Sequence, residues 1–290
     1  MKNYVAYIDT DSVFIMINDF LINQGIDIDK WNSLDKKIKI PLIIKLSKSI
    51  ENIVNKKSYQ NIQLVDYGSI ITDDDFSIKL KQEIVCPNAL FLSPKMYAFW
   101  VLNNEGYDCD EIDAKGIEIV RSSSPTVFRK ALKEVLERLL KGDNDSILSD
   151  IVDNYKQIFY NAKPEDISVN IGVNNLDKYI DEDGYPILGT PYQVKGVACY
   201  HLLLNEFNIS HKYERIKEGD KIKIVYIKNN PWKFNAISYY KWPEEFTNNG
   251  IRIDYDLMIE KYFINKAKIL LDPINRSGIL DDKGVESLFF

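Results

Sequence analysis

Two apolar runs separated by four polar residues constrain the start of this chain more than any other feature. Tyr4 to Ile17 reads YVAYIDTDSVFIMI, apolar up to Ile8, polar from Asp9 to Ser12 and apolar again from Val13. The flanks are dense in aromatic and β-branched residues, which favours strand over helix. Two strands around a short polar turn make a hairpin. Asp9 and Asp11 stand two apart, so on an extended backbone both point to one side. Two carboxylates presented together repel unless a divalent cation shares them. Such a pair is one half of a two-metal phosphoryl-transfer site. The competing reading of the same residues is an acidic turn that merely faces water.

Bulk properties narrow the classes. A chain of 290 residues, 45% apolar and 28% charged, holds one or two ordinary globular domains. It has no run of about 18 apolar residues and no basic-then-apolar leader, so a soluble protein with no membrane partner is expected. Cys86, Cys109 and Cys199 are far apart and set among apolar residues. They read as reduced core thiols, and with His201 and His211 the only histidines, a zinc centre is not expected. The formal charge of -6 means that any nucleic-acid function must use a local basic surface or a partner's.

Further along, Ile50 to Lys57 reads as a short helix and Ile62 to Val65 as a strand ending at the Asp66-Tyr67-Gly68 turn. Asp73 to Asp75 is an acidic loop. Phe76 to Cys86 alternates well enough for a strand that carries Glu83. Ala89 to Phe91 and Met96 to Leu102 form another strand pair around Ser93-Pro94-Lys95, with Asn103 to Gly106 the next turn. The span from Asp9 to Leu102 is therefore an antiparallel sheet with helical cover, an α+β unit.

At Ser122 the character changes. SSSP leads into VFRKALKEVLERLLK, apolar at Val127, Phe128, Ala131, Leu132, Val135, Leu136, Leu139 and Leu140 and stopped by Gly142. Ser146 to Tyr160 is a second amphipathic helix, completing a helical hairpin. A domain boundary is expected near residue 120. Ile167 to Ile171 and Asp220 to Lys228 read as strands, Gln193 to Leu204 and Tyr255 to Phe263 as helices. Gly278 to Phe290 is a polar tail ending in an apolar plug, either frayed core packing or a docking peptide.

YIDTDS between apolar strands resembles the second catalytic palm motif of family B DNA polymerases, YGDTDS, with Ile8 in place of the glycine. The likeness continues along the chain. KGIEIVRSSSPTVFRKALKEVLERLL resembles the palm-to-thumb junction of family B polymerases from T-even-like tailed bacteriophages. YQVKGVACYHLLL and GDKIKIVYIKNNPW resemble later parts of that thumb. EKYFINKAKILLDPI resembles the helix that returns to the palm, and GVESLFF the peptide that docks on a ring-shaped sliding clamp. The resemblance implies an α+β fold: half of an antiparallel palm sheet with helical cover over 1–120, then a mainly helical thumb over 121–277 and a clamp-docking tail over 278–290.

Residue by residue, Asp11 matches the metal-ligating aspartate and Asp9 its neighbour near the metals and primer end. Glu83 falls where a third palm carboxylate lies. PKMY matches the lysine–tyrosine motif K-K-x-Y with Lys95 and Tyr97, and has Pro94 in place of the first lysine. In the family these side chains hold the primer–template duplex, although Lys95 alone is also readable as a surface lysine. Arg121, Ser122, Ser123 and Ser124 are placed to meet backbone phosphates, as is Lys195 with Tyr192. Six Lys/Arg against two Glu between Arg121 and Lys141 make this a basic stretch in an acidic protein, equally readable as a solvated face. Leu288, Phe289 and Phe290 match the clamp-binding residues.

Two family features have no counterpart in these residues: the D-x-x-S-L-Y-P strand and the lysine-bearing fingers helix. With Met1 just ahead of the hairpin, the expectation is the C-terminal subunit of a split DNA-directed DNA polymerase. It would act with an N-terminal chain carrying exonuclease, fingers and the remaining palm motifs, on primer–template DNA and deoxynucleoside triphosphates. Mg2+ would be shared between the chains, a sliding clamp would bind the tail, and the setting would be the cytoplasm of an infected bacterial host. A non-catalytic thumb subunit and an unrelated α+β protein are the alternatives. On the first expectation, removing Leu288 to Phe290 leaves distributive synthesis unchanged and abolishes stimulation by the clamp, because a short peptide with an aromatic anchor pair forms a small hot spot. Processivity measured with and without the tail checks this.

Overall fold

The patterning at the head of the chain folds as the hairpin it dictates. β1 (Val5–Ile8) pairs antiparallel with β2 (Val13–Ile15) in the register Tyr7↔Phe14 and Ile8↔Val13. The computed structural model describes residues 4–9, 11–65, 79–117, 124–228 and 230–281, with the backbone alone for 58–65. The chain divides into two units, Met1–Lys115 and Gly116–Phe290. Together they form the α+β architecture expected, antiparallel sheets first and a mostly helical region after. No helix among the described residues is long and apolar enough to cross a membrane.

In the first unit, α1 (Ile17–Asn23) and α2 (Ile28–Ser33) follow the hairpin. Asp27 caps α2 by accepting from the Asp29 and Lys30 N–H groups, which answers two of the donors that a helix start leaves unpaired. The 30-residue α3 (Lys36–Val65) comes next. It absorbs both the short helix expected at Ile50 to Lys57 and the strand expected at Ile62 to Val65. Ile62 and Val65 are β-prone, but at the end of a long helix they follow the helix, because propagation adds a hydrogen bond per residue once nucleation is complete. The expected turn at Asp66 and acidic loop at Asp73 lie outside the described residues.

The four-stranded sheet contains β3 (Ile84–Val85), β4 (Ala89–Ser93), β5 (Met96–Asn104) and β6 (Tyr107–Lys115). β5 is its spine, pairing antiparallel with each of the other three. Of the strand expected from Phe76 to Cys86, Phe76 to Ile78 lie outside the described residues, Lys79 to Glu83 are outside any strand, and Ile84–Val85 forms β3. The reason is visible in α3. The Asn55 amide bonds both the N–H and the carbonyl of Leu80, at 2.8 and 2.9 Å, and the Glu51 carboxylate accepts from Gln82 N–H at 3.2 Å. Side chains thus supply partners that a ladder would otherwise supply.

The second unit opens with α4 (Thr126–Lys141) and α5 (Asp145–Tyr160). The α4 stripe buries Phe128, Ala131, Leu132, Val135, Leu136 and Leu140, and Gly142 ends the helix at φ 91°, a conformation that favours glycine. Pro125, rather than a serine, holds the N-cap position and makes no side-chain cap bond. Asn144 caps α5 through Ile147 N–H at 3.0 Å. Short helices α6 (Pro164–Ile167) and α7 (Leu176–Tyr179) flank β7 (Val169–Gly172). β8 (Lys221–Tyr226) is the centre of an antiparallel sheet ordered β7-β8-β9, with β9 at Ala236–Tyr239. α8 (Tyr192–Glu206) lies against β9. After α9 (Glu244–Asn248), the final helix joins the span expected at Tyr255 to Phe263 with the EKYFINKAKILLDPI segment, running as α10 (Tyr255–Ile259), a π-helical turn (Glu260–Ile264) and α11 (Asn265–Leu271).

The α8–β9 contact depends on Gly196. A Cβ built there would lie 2.5 Å from Ser238 Oγ and 2.9 Å from Ser238 N. The Ser238 hydroxyl has little room to yield, since it donates to the Gln193 carbonyl at 3.0 Å and is fully buried. Gly196→Ala is therefore expected to destabilise the second unit by about 1–3 kcal/mol, the usual cost of overpacking. Urea unfolding of the variant against the parent measures it.

Candidate functional site

Asp9 follows β1, and its N–H donates to the Ser12 carbonyl at 2.9 Å, closing the turn that carries both aspartates. The inner face of the hairpin presents Tyr7 and Phe14 to the sheet. Tyr7 lies with its ring centroid 5.5 Å from Phe91 and 5.6 Å from Tyr97, and Phe14 lies 4.9 Å from Phe99. The outer face carries Ile8 and Val13, which remain exposed at 65% and 38%.

The same hairpin is tied to the β4–β5 turn. Lys95 N–H donates to the Tyr7 hydroxyl at 3.0 Å. Ser93 pairs with Met96, leaving Pro94 and Lys95 as a two-residue loop, with Lys95 at φ 63°. Proline sets the first position of such a turn and cannot take positive φ, so the pair fits a type II arrangement. This gives a local reason for proline where the lysine–tyrosine motif has its first lysine. Lys95 is exposed, whereas Tyr97 is buried in the aromatic cluster.

A residue that the sequence reading did not single out completes the group. Lys115, at the end of β6, stands directly across from Tyr97 on β5. Its Nζ lies 3.8 Å from Asp9 Oδ2 and 5.8 Å from the centre of the Tyr97 ring. The hydrogen bond to Tyr97 and its charge interaction hold the ammonium above the ordinary lysine range; desolvation opposes them, and the Asp9 and Asp11 carboxylates add smaller contributions in the same direction. The signal was present in the KG that opens the junction segment. It was illegible until YDCDEIDAK was known to be a strand, because acidic residues are poor strand formers.

The structure does not bring Glu83 to this turn. Glu83 is exposed, its carbonyl accepts from Glu105 N–H at 2.6 Å, and the adjoining pair is Ile84↔Asn104. Tyr97 is at the other end of β5, a separation of roughly 20 Å at about 3.3 Å per residue. In the second unit, Ser124 is buried and Lys195 half-buried on α8. Near Lys195 in sequence, Tyr192 stacks on Tyr226 at 6.1 Å, and Lys261 Nζ donates to the Tyr226 hydroxyl at 2.5 Å. Arg121, Ser122, Ser123, Leu288, Phe289 and Phe290 lie outside the described residues.

Asp9 and Asp11 offer the hard oxygen donors that Mg2+ takes, and to that extent the donor set fits. Among the described residues, no group of three or more His, Cys, Asp or Glu side chains is placed to hold a metal by itself. The paired carboxylates, the aromatic platform and the K-x-Y turn form one constellation with the local form of a polymerase palm. The family model for DNA polymerase family B matches residues 1–274, and the chain belongs to that family. It is 22% identical over 288 residues to the DNA-directed DNA polymerase of Enterobacteria phage T4, covering 91% of this chain and 29% of that protein. It is 25% identical over 301 residues to the DNA-directed DNA polymerase of Escherichia phage RB69, covering 99% of this chain and 31% of that one. The chain thus spans less than a third of the length of these curated relatives.

Because the hairpin is held by ring packing, truncating one ring should free it. Phe14→Ala is expected to weaken hairpin docking by about 2 kcal/mol, below the range for a fully buried phenylalanine because Phe14 is half-buried. Amide hydrogen exchange at Val5 to Ile8 should accelerate accordingly.

Proposed function

We propose that these residues supply the second aspartate motif of the palm, and the thumb, of a DNA-directed DNA polymerase. The rest of the palm, the fingers and an exonuclease would come from a partner polypeptide. The observation that carries the reading is the DTDS turn seated on an aromatic platform that also fixes the Lys95–Tyr97 turn, in a chain of the family B polymerases.

In this reading Asp9 and Asp11 hold Mg2+ with carboxylates from the partner. Bound there, Mg2+ would stabilise the charge that develops when a primer 3′ hydroxyl displaces pyrophosphate from a deoxynucleoside triphosphate. Lys95, exposed at its turn, meets a phosphate of the primer–template duplex, and Tyr97 keeps that turn in place from below. Along α4 the exposed Lys130, Lys133 and Arg138 add sequence-independent backbone contacts, with Arg121, Ser122 and Ser123 ahead of it in the chain and Lys195 on α8. Ser124, buried just ahead of the N-cap, is not among them. The apolar outer face at Ile8 and Val13 suits burial against the remaining palm. The tail at Leu288 to Phe290 would dock a sliding clamp, and the phage relatives suggest the host cytoplasm as the place of action.

Reconstitution tests the proposal. The partner chain co-purified from the native source is mixed with this one, and primer extension is followed in Mg2+. Extension is expected from the pair and from neither chain alone. Asp11→Asn in the pair should lower the rate by about 1,000-fold or more, since a metal ligand underwrites several kcal/mol of barrier lowering. A fully active pair containing Asp11→Asn would instead identify a non-catalytic thumb subunit.

A further inference from the structure

We propose that Lys115 is a positioning residue of the candidate metal centre: its ammonium neutralises Asp9 and anchors that carboxylate beside Tyr97, so that a cation enters through the exposed Asp11. The inference rests on the reading of the hairpin as a metal site and adds to it a residue from outside the DTDS and K-x-Y turns, at the head of the junction segment.

Three observations lead there. Lys115 is fixed by strand pairing, opposite Tyr97 on the neighbouring strand, so its side chain starts from a defined place. Its Nζ then bridges two separate parts of the fold, with Asp9 Oδ2 on the hairpin at 3.8 Å and the Tyr97 ring on the sheet at 5.8 Å. The two ends of the ion pair also differ in exposure. The Asp9 side chain is only 13% exposed and that of Lys115 58%. The carboxylate is therefore the enclosed partner, and Lys115 approaches it from the open side.

The chemical consequence has a definite sign. Two carboxylates at one turn repel each other until a cation intervenes. A protein ammonium at Asp9 supplies part of that compensation in advance. It keeps the turn formed without metal, and it also opposes any second cation arriving at Asp9. Metal affinity of the hairpin is then lower than the two carboxylates alone would give, and Asp9 becomes a ligand only by sharing itself with Lys115. For a partly exposed ion pair, the scale of the opposition is about two- to fivefold in affinity.

The test uses the full 290-residue chain and the metal alone. Tb3+ is titrated as a hard, oxygen-seeking probe, read by luminescence sensitised through tyrosine, with Tyr7 and Tyr97 at the site. The hairpin component is the part of the signal that Asp11→Asn removes. Lys115→Met, and Lys115→Gln as a second neutral variant, should fill that component at two- to fivefold lower Tb3+, and Lys115→Arg should match the parent. Rescue by arginine separates charge from mere packing. If either folded neutral variant fills the component at the same or higher Tb3+ than the parent while Asp11→Asn still removes it, the role given to Lys115 is overturned and the metal site stands. If Asp11→Asn removes no component, the hairpin is not a metal site, and both readings fall together.

Discussion

The packing of Tyr7 and Phe14 against Phe91, Tyr97 and Phe99 is the interaction on which the first unit depends. A hairpin of one four-residue and one three-residue strand does not hold itself together in water. Ring pairs at these centroid distances each contribute about 0.5–1.5 kcal/mol beyond the area they bury. Several such pairs converge on one small hairpin, so the DTDS turn is positioned by what lies beneath it. Tyr97 shows how closely packing and chemistry are joined. It belongs to the buried cluster, it is the tyrosine of the K-x-Y turn, and its ring centre lies 5.8 Å from the lysine that faces Asp9.

The outer surfaces of the first unit carry opposite instructions. β6 presents Asp108, Asp110, Glu111 and Asp113, with Cys109, Ile112 and Ala114 turned further inward. A strand so charged discourages another strand from pairing beside it. The outer face of the hairpin presents Ile8 and Val13 instead. Ile8 stands where the family motif has glycine, and its side chain adds apolar surface just before the carboxylate turn. One surface is protected from association while the other leaves apolar side chains open to cover.

The second unit is organised by simpler means. Amphipathic spacing in α4 and α5 creates stripes that pack together, through Phe128 and Phe159 at 4.5 Å among others. The spacing was readable because a period near 3.6 leaves a repeated mark in the sequence. Not every apolar residue on the stripe is used. Ile147 and Ile158, apolar residues of α5, remain 42% exposed. Periodicity marks a face, whereas the width of that face which is covered depends on neighbours distant in the chain. Gly196 makes the same point. As a glycine inside a helix it reads as a weakness, yet it is what allows α8 to approach the backbone of Ser238.

By itself the sequence determined the hairpin, the α4–α5 pair and the carboxylates Asp9 and Asp11, because each is written in adjacent residues and obeys a local period or turn preference. It misread Ile62 to Val65 and the segment before Ile84, where strand-forming residues were claimed by the length of α3 and by the side chains of Asn55 and Glu51. Tertiary structure alone decided which charged groups meet. Cross-strand register carried Glu83 to the far end of β5 and brought Lys115, more than a hundred residues from Asp9, to within 3.8 Å of it. Electrostatic interactions act through distance in space, and that distance exists only once the strands have paired.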